Sequence, residues 1–265
     1  VTAPILAIPT ANGRYYQHPS NPIAVPSITN IIDQKNKPGL KYWAAKMCAT
    51  YAGEAREKLA GLTKDEVFQL VKNAPFAQKD DSPSAIGDIV HSWIDEFVKA
   101  TLNASQVYTP PNLETAPWQA KHMWNQFLTF TGRYNPTFID SEFTVWSNAV
   151  GYAGTADLIF KIGDVTVLAD TKTGERTYPE TAMQLAALAN ADFILTPEGE
   201  EKPMYKADRY AILHVRPRSF ALIPVEKIDE AWTCFRALRA VFEWDVSHAD
   251  STLGYAPRIG SKEAA

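Results

Sequence analysis

Asp157, Asp170 and Lys172 are the residues of this chain best equipped for chemistry. They fall within GYAGTADLIFKIGDVTVLADTKTGERTYPETAMQ, the segment Gly151–Gln184. Asp170 and Lys172 are two apart in a β-rich run, so a strand would project both from one face. The carboxylate is a hard oxygen ligand for Mg2+ or Mn2+. The ammonium can orient or deprotonate water, or neutralise charge growing on a phosphate. Thr171 points to the other face, but its backbone carbonyl is a further oxygen donor. Taken alone, Asp-x-Lys is more simply a surface ion pair at a strand end. Asp157 changes that balance. It stands 13 residues before Asp170, a hairpin's length, so cross-strand pairing can bring the two carboxylates together. Close, buried carboxylates repel unless a cation neutralises them. Gly151 and Gly154 leave room for a backbone or a substrate to approach.

His91 is a further candidate ligand. It sits in a helical pattern one turn after Gly87, which would let another backbone or a metal site come close. A lone helix histidine is more often structural or exposed, and His18, His122, His214 and His248 keep that reading. Cys48 and Cys234 are the only cysteines. They lie in helix-like apolar patterns, as buried free thiols would, and two cannot form a four-cysteine zinc site. The net charge of −4 excludes a uniformly basic nucleic-acid binder. Residues 1–60, however, carry seven Lys/Arg against three Asp/Glu. That asymmetry suits either a local phosphate track or a solvated helix surface.

These groups must be positioned by elements legible in the pattern. Residues 1–26 read as an irregular arm, and 27–265 as a single domain with a helical part (27–132) and a sheet-containing core (133–265). Pro38 opens a helix to about Leu59, and Thr63 with Glu66 forms a capping box for the next. Ser84 is the expected cap of a helix with the apolar face Ile86, Val90, Trp93, Ile94, Phe97 and Val98. An aromatic helix over 116–131 follows. Thr137–Trp146, Gly151–Phe160 and Val165–Asp170 are strand-like, with Gly163-Asp164 as a tight turn. A helix from Pro179 to about Ala191, strands at Arg209–Val215 and Phe220–Val225, and a helix over 228–244 complete the pattern. The expected class is α+β, with a central mixed sheet flanked by helices.

At this point the chain resembles a known family. Gly87-x3-His91, Gly154-Thr155-Ala156-Asp157, Asp170-Thr171-Lys172-Thr173-Gly174 and Tyr178-x5-Gln184 are similar, in order, to the motifs of the PD-(D/E)XK nuclease superfamily. The likeness is greatest to the branch of the RecB nuclease domain, the CRISPR-associated exonucleases and related phage exonucleases. Ser27-Ile28-Thr29 and the runs Lys37–Leu40 and Trp43–Lys46 also resemble the N-terminal part of the phage proteins. The resemblance implies a restriction-endonuclease-like sheet. It also implies a divalent metal, Mg2+ or Mn2+, on His91, Asp157, Asp170 and the Thr171 carbonyl, with Lys172 as catalytic lysine. Gln184 and Tyr178 would position the lysine or the DNA backbone. Glu142 would support a second metal or hold a basic residue, a structural role being the alternative. Ser27, Thr29, Lys41, Lys46 and Arg176 would contact DNA.

Two departures are visible. Leu188 stands where many members carry a tyrosine. Two cysteines cannot hold the four-cysteine iron–sulfur cluster of some relatives, so none is expected. No Gly-x4-Gly-Lys-Ser/Thr occurs, so any unwinding would need a helicase partner; a single-strand annealing protein is the other expected partner. The expected activity is metal-dependent DNA hydrolysis, by an exonuclease of phage or bacterial recombination, repair or DNA processing. A non-enzymatic DNA-binding module and a small-molecule α/β enzyme are the alternatives. No run reaches the roughly 18 apolar residues of a membrane span, and the first residues lack a signal-peptide pattern. The expected location is therefore the cytoplasm, with no membrane partner. A ring that encircles DNA and a monomer could share these motifs.

Overall fold

The computed structural model describes residues 6–36, 38–76, 82–103, 105 and 108–254. The expected irregular arm is instead an antiparallel sheet of β1 (Ala7–Thr10), β2 (Gly13–Gln17) and β3 (Ala24–Pro26). Ala11-Asn12 makes the first turn, and Gly13 at its exit has φ +95°, a conformation that favours glycine. Asn30 Nδ2 donates to the Asn12 carbonyl at 2.6 Å and ties this turn to the next helix. The sheet is not peripheral: Leu6, Tyr16 and Val25 pack with Trp146, Ala153 and Phe193.

The helices follow as α1 (Ile28–Ile32), α2 (Pro38–Glu54), α3 (Arg56–Leu59), α4 (Lys64–Asn73), α5 (Pro83–Leu102) and α6 (Trp118–Tyr134). The capping box forms at Thr63 and Glu66 as the spacing predicts. Ser82, not Ser84, caps α5, because Pro83 already occupies the first turn; Ser82 Oγ accepts from Ala85 N at 3.2 Å. Along α5, Ile86, Val90, Ile94 and Val98 recur every four residues and are buried.

Strands β4 (Thr137–Ser147), β5 (Tyr152–Ile162) and β6 (Val165–Lys172) precede α7 (Glu180–Ala189). Then come β7 (Phe193–Leu195), β8 (Glu201–Lys202), β9 (Arg209–Arg216), β10 (Ser219–Pro224) and α8 (Ile228–Glu243). Among the described residues they form a seven-stranded mixed sheet in the order β10-β9-β6-β5-β4-β7-β8. Among the described residues, all of its strand pairings are antiparallel except β6 with β9. Gly163, at φ +60°, turns β5 into β6 at the expected place. The fold is thus mixed α/β with a large mixed sheet and flanking helices.

Each face of the sheet has its own core. On one, α5 and α6 bring Val90, Phe127 and Phe130 against Leu158, Phe160 and Ala169. On the other, α1, α7 and α8 bring Ile31, Leu185 and Phe235 against Val145, Ile159 and Leu168. By contrast, no described residue of α2–α4 is buried. These helices pack mainly on one another and stand off the sheet, a departure from the expectation that the whole N-terminal helical part covers it. Among the described residues, no helix is long and apolar enough to cross a membrane.

Candidate metal centre

The site lies where the alternation of the strands breaks. Ala156 and Leu158 are two apart on β5 and should share a face, yet they belong to the cores on opposite faces. Opposite this step, the β4–β5 register pairs Ser141 with Leu158 and Phe143 with Ala156, which sets Glu142 against Asp157. Glu142 has φ +48°, a left-handed conformation that costs a non-glycine residue about 1–2 kcal/mol. The same irregularity turns the Glu142 carboxylate toward Asp157 and His91. Backbone outliers of this type concentrate at sites where side-chain placement matters.

His91, from α5, closes the cluster. Its Nδ1 lies 3.7 Å from Asp157 Oδ2 and 3.8 Å from Glu142 Oε1. One ligand atom from each of His91, Glu142 and Asp157 lies within 4.8 Å of the others. Burial pulls the imidazole pKa down, but Asp157, Glu142 and Asp170 outweigh it and hold His91 up at about 9. Half-buried beside these carboxylates, His91 is held in its charged form by their negative charge. Asp95, one turn further along α5, accepts from Ser141 Oγ at 2.6 Å and fixes this helix to β4 beside the cluster.

Asp170 and Lys172 enter from β6. The β5–β6 ladder runs to Leu158–Ala169. One step beyond, Thr171 N donates to Asp157 Oδ2 at 2.7 Å, so a side chain takes the place of the next strand bond. Asp170 is 1% exposed. Its Oδ2 lies 2.6 Å from Lys172 Nζ as an ion pair, neither oxygen forms a well-angled hydrogen bond, and Oδ1 has no partner. Burial first, and then Asp157, raise Asp170 to about 7 against the opposing pull of Lys172. Burial lowers the lysine, but Asp170 and Asp157 reverse that and keep it protonated. Asp157 is likewise raised, by burial before all else.

The donor set is one imidazole nitrogen and carboxylate oxygens, which suits Mg2+ or Mn2+ better than a soft metal. The under-satisfied Asp170 carboxylate next to it fits the same assignment, since buried carboxylates need a partner or a cation. The geometry differs from the expected ligand set in one respect. Glu142 joins His91 and Asp157 directly, whereas Asp170 faces Lys172.

The glycines act as spacers for packing. A Cβ on Gly87 would stand 2.8 Å from Thr173 Oγ1, so α5 abuts the turn just after Lys172. A Cβ on Gly154 would stand 2.4 Å from Ile28 Cδ1, so α1 seats itself on β5. Sequence patterning missed the contribution of His214. It pairs with Lys172 across the β6–β9 ladder, and its Nε2 lies 2.8 Å from the Gly174 carbonyl, holding the Thr173-Gly174 turn. No sequence signal marks it, because the pairing of β9 with β6 joins residues far apart in the chain. The His18 ring packs edge-on against Trp146, and His122 packs on Trp118.

The remaining expected residues are more dispersed. Gln184 is half-buried on α7. Tyr178 is 63% exposed just before that helix, and Arg176 is exposed in the same connection. Ser27 is buried; its Oγ accepts from Asn30 N as the cap of α1 and lies 3.1 Å from Thr29 Oγ1, while Thr29 itself is exposed. Lys41 and Lys46 are exposed on α2. Leu188 is a core residue of α7 at 2% exposure. Cys48 is half-buried and Cys234 exposed, both as free thiols, so the second is not the buried thiol its pattern suggested. A cleft of about 740 Å³ opens beside the cluster between α5 and β4, with His91, Glu142, Trp93 and Tyr205 in its wall. Neither a scan of family models nor a search of curated proteins finds a match to this chain.

Proposed function

We propose that this protein is a metal-dependent deoxyribonuclease of the PD-(D/E)XK type. The observation that carries the proposal is the convergence of His91, Glu142 and Asp157, with the Asp170–Lys172 pair joined to them through Thr171 N. His91, Glu142 and Asp157 would hold Mg2+ or Mn2+, with Asp170 and the Thr171 carbonyl beside them. Such an ion supplies Lewis-acid stabilisation of a phosphate oxygen and makes water a better nucleophile at neutral pH.

The chain's own residues account for the rest. Water attacks phosphorus in line and one P–O bond breaks. Lys172, kept protonated by its carboxylate neighbours, offers positive charge to the phosphate as negative charge builds there. Gln184 on α7 and Tyr178 in the connection before it would orient the lysine or the DNA backbone. The proposal extends, on the family resemblance, to exonuclease action in phage or bacterial recombination, repair or DNA processing. It extends equally to a cytoplasmic location and to work alongside a helicase or single-strand annealing partner.

The test is digestion of end-labelled linear DNA with Mn2+ or with EDTA, using the wild type and Lys172→Met. The expected result is cleavage in Mn2+ alone, reduced by orders of magnitude in the variant although it still binds the ion. Full activity of the variant would remove Lys172 from the mechanism.

A further inference from the structure

We infer that the outer face of α2 is a binding surface for single-stranded DNA that delivers a strand to the metal centre; its substrate class rests on the deoxyribonuclease reading. A helix of 17 residues with no buried side chain among those described needs another reason for its surface chemistry. Tyr42 is 84% and Trp43 47% exposed. Lys41 and Lys46 beside them are exposed. Tyr42 and Lys46, at i and i+4, share one side of the helix, and Trp43 lies at the edge of that side. Ala44, Met47, Cys48 and Tyr51, on the other side, are half-buried, consistent with the packing of α2 on α4.

The charge pattern selects the occupant. Between residues 38 and 53 there are two lysines and neither aspartate nor glutamate, in a chain whose net charge is −4. A purely apolar partner would leave two lysines to be desolvated. A nucleic-acid strand uses both features, with phosphates on the lysines and unstacked bases on the rings. A duplex hides its base faces, so exposed rings favour a single strand.

Position links this face to the site. Lys35, three residues before α2, forms a 2.7 Å ion pair with Glu180, the first residue of α7. Glu180 is two residues beyond the exposed Tyr178 and eight beyond Lys172. The root of α2 is therefore clipped to the connection that leaves the catalytic strand, and Arg176 and Tyr178 lie on that same connection. Arg176 and Tyr178 would extend the basic, aromatic surface of α2 toward Lys172.

The experiment is fluorescence anisotropy of a labelled oligo-dT in EDTA, so that binding is measured without cleavage. The variants are Tyr42→Ala/Trp43→Ala, Tyr42→Phe/Trp43→Phe and Lys41→Ala/Lys46→Ala. Loss of the two stacking rings is expected to weaken binding at least about tenfold, and the Phe pair to restore most of it. The lysine pair should lower the slope of log affinity against log salt by about 1.4. Equal affinity of the wild type and the Ala pair, or no oligo-dT binding by the wild type, would overturn the inference. So would a preference for blunt duplex that is insensitive to Tyr42 and Trp43. Mn2+-dependent cleavage is scored separately. If no DNA is cut while the α2 variants still lose binding, the nuclease reading fails and the strand-binding face stands.

Discussion

His91 and Asp170 carry protons that a metal must displace, and this sets the pH behaviour of the site. With His91 held up at about 9, the imidazole is charged at neutral pH and must lose its proton to become a ligand. Apparent Mn2+ affinity should therefore rise roughly tenfold per pH unit from 7 toward 9 and level off above it. Below about 7, Asp170 also takes up a proton, and the fall in affinity steepens. Titration calorimetry across this range checks the prediction; affinity independent of pH would mean that His91 is not a ligand. Glu142 supports a prediction of opposite signs. Glu142→Gly removes the strain of φ +48° and is expected to stabilise the ion-free protein by about 1 kcal/mol. The same change should weaken Mn2+ binding at least about tenfold. Denaturant melts and calorimetry on one variant read both, and Glu142→Gln should lose affinity without the gain in stability. The residues of the candidate site were unequally legible. Asp157, Asp170, Lys172 and His91 have spacings that strand and helix periods convert into shared faces. The left-handed backbone of Glu142 has no such signature, because neither glycine nor asparagine marks it, and the register that sets it against Asp157 is a tertiary property.

At the level of elements, two glycines make contrasting predictions. Gly154→Ala drives a Cβ into Ile28, a β-branched side chain buried between α1 and the sheet. Overpacking of this kind is expected to cost about 1–3 kcal/mol. Gly87→Ala meets only the Thr173 hydroxyl, a short polar group that can rotate, and gains up to about 1 kcal/mol of helix propensity. Its net effect on melting should be near zero, so chemical denaturation of the two variants should separate them clearly. Equal destabilisation would mean that the Thr173 turn is as rigid as the core. The long elements were legible because a helical or two-residue apolar period persisted through them. β7 and β8, of three and two residues, are too short to show a period. The N-terminal sheet was missed for a different reason. Prolines and polar residues obscure its alternation, and Ala11-Asn12, which makes its first turn, is flanked by strands whose buried side chains find their partners in β4, β5 and β7.

The whole molecule divides its tasks among its layers. Two independent cores clamp the sheet from both faces, and the site occupies the step where the strands exchange those faces. Helices α2–α4 add no buried residue among those described, so the sheet and its flanking helices carry the burden of stability. Pro38 and the capping box at Thr63 and Glu66 predicted these helices but not that they would pack mainly on each other, since α2 alternates small, aromatic and basic residues without a broad apolar stripe. Nor does the net charge of −4 describe the surface that would meet DNA, because the lysines of α2 and the carboxylates around His91 lie in separate parts of the fold. If the His91–Glu142–Asp157 cluster holds the ion of the proposed nuclease, DNA digestion must depend on both the ion and the cluster. The most direct test is a time course on end-labelled linear DNA with wild type and Asp157→Asn, each in Mn2+ and in EDTA. The account predicts digestion by the wild type in Mn2+ alone, with the variant inactive and its Mn2+ affinity lowered. Digestion that persists in EDTA, or at an undiminished rate in Asp157→Asn, would contradict it.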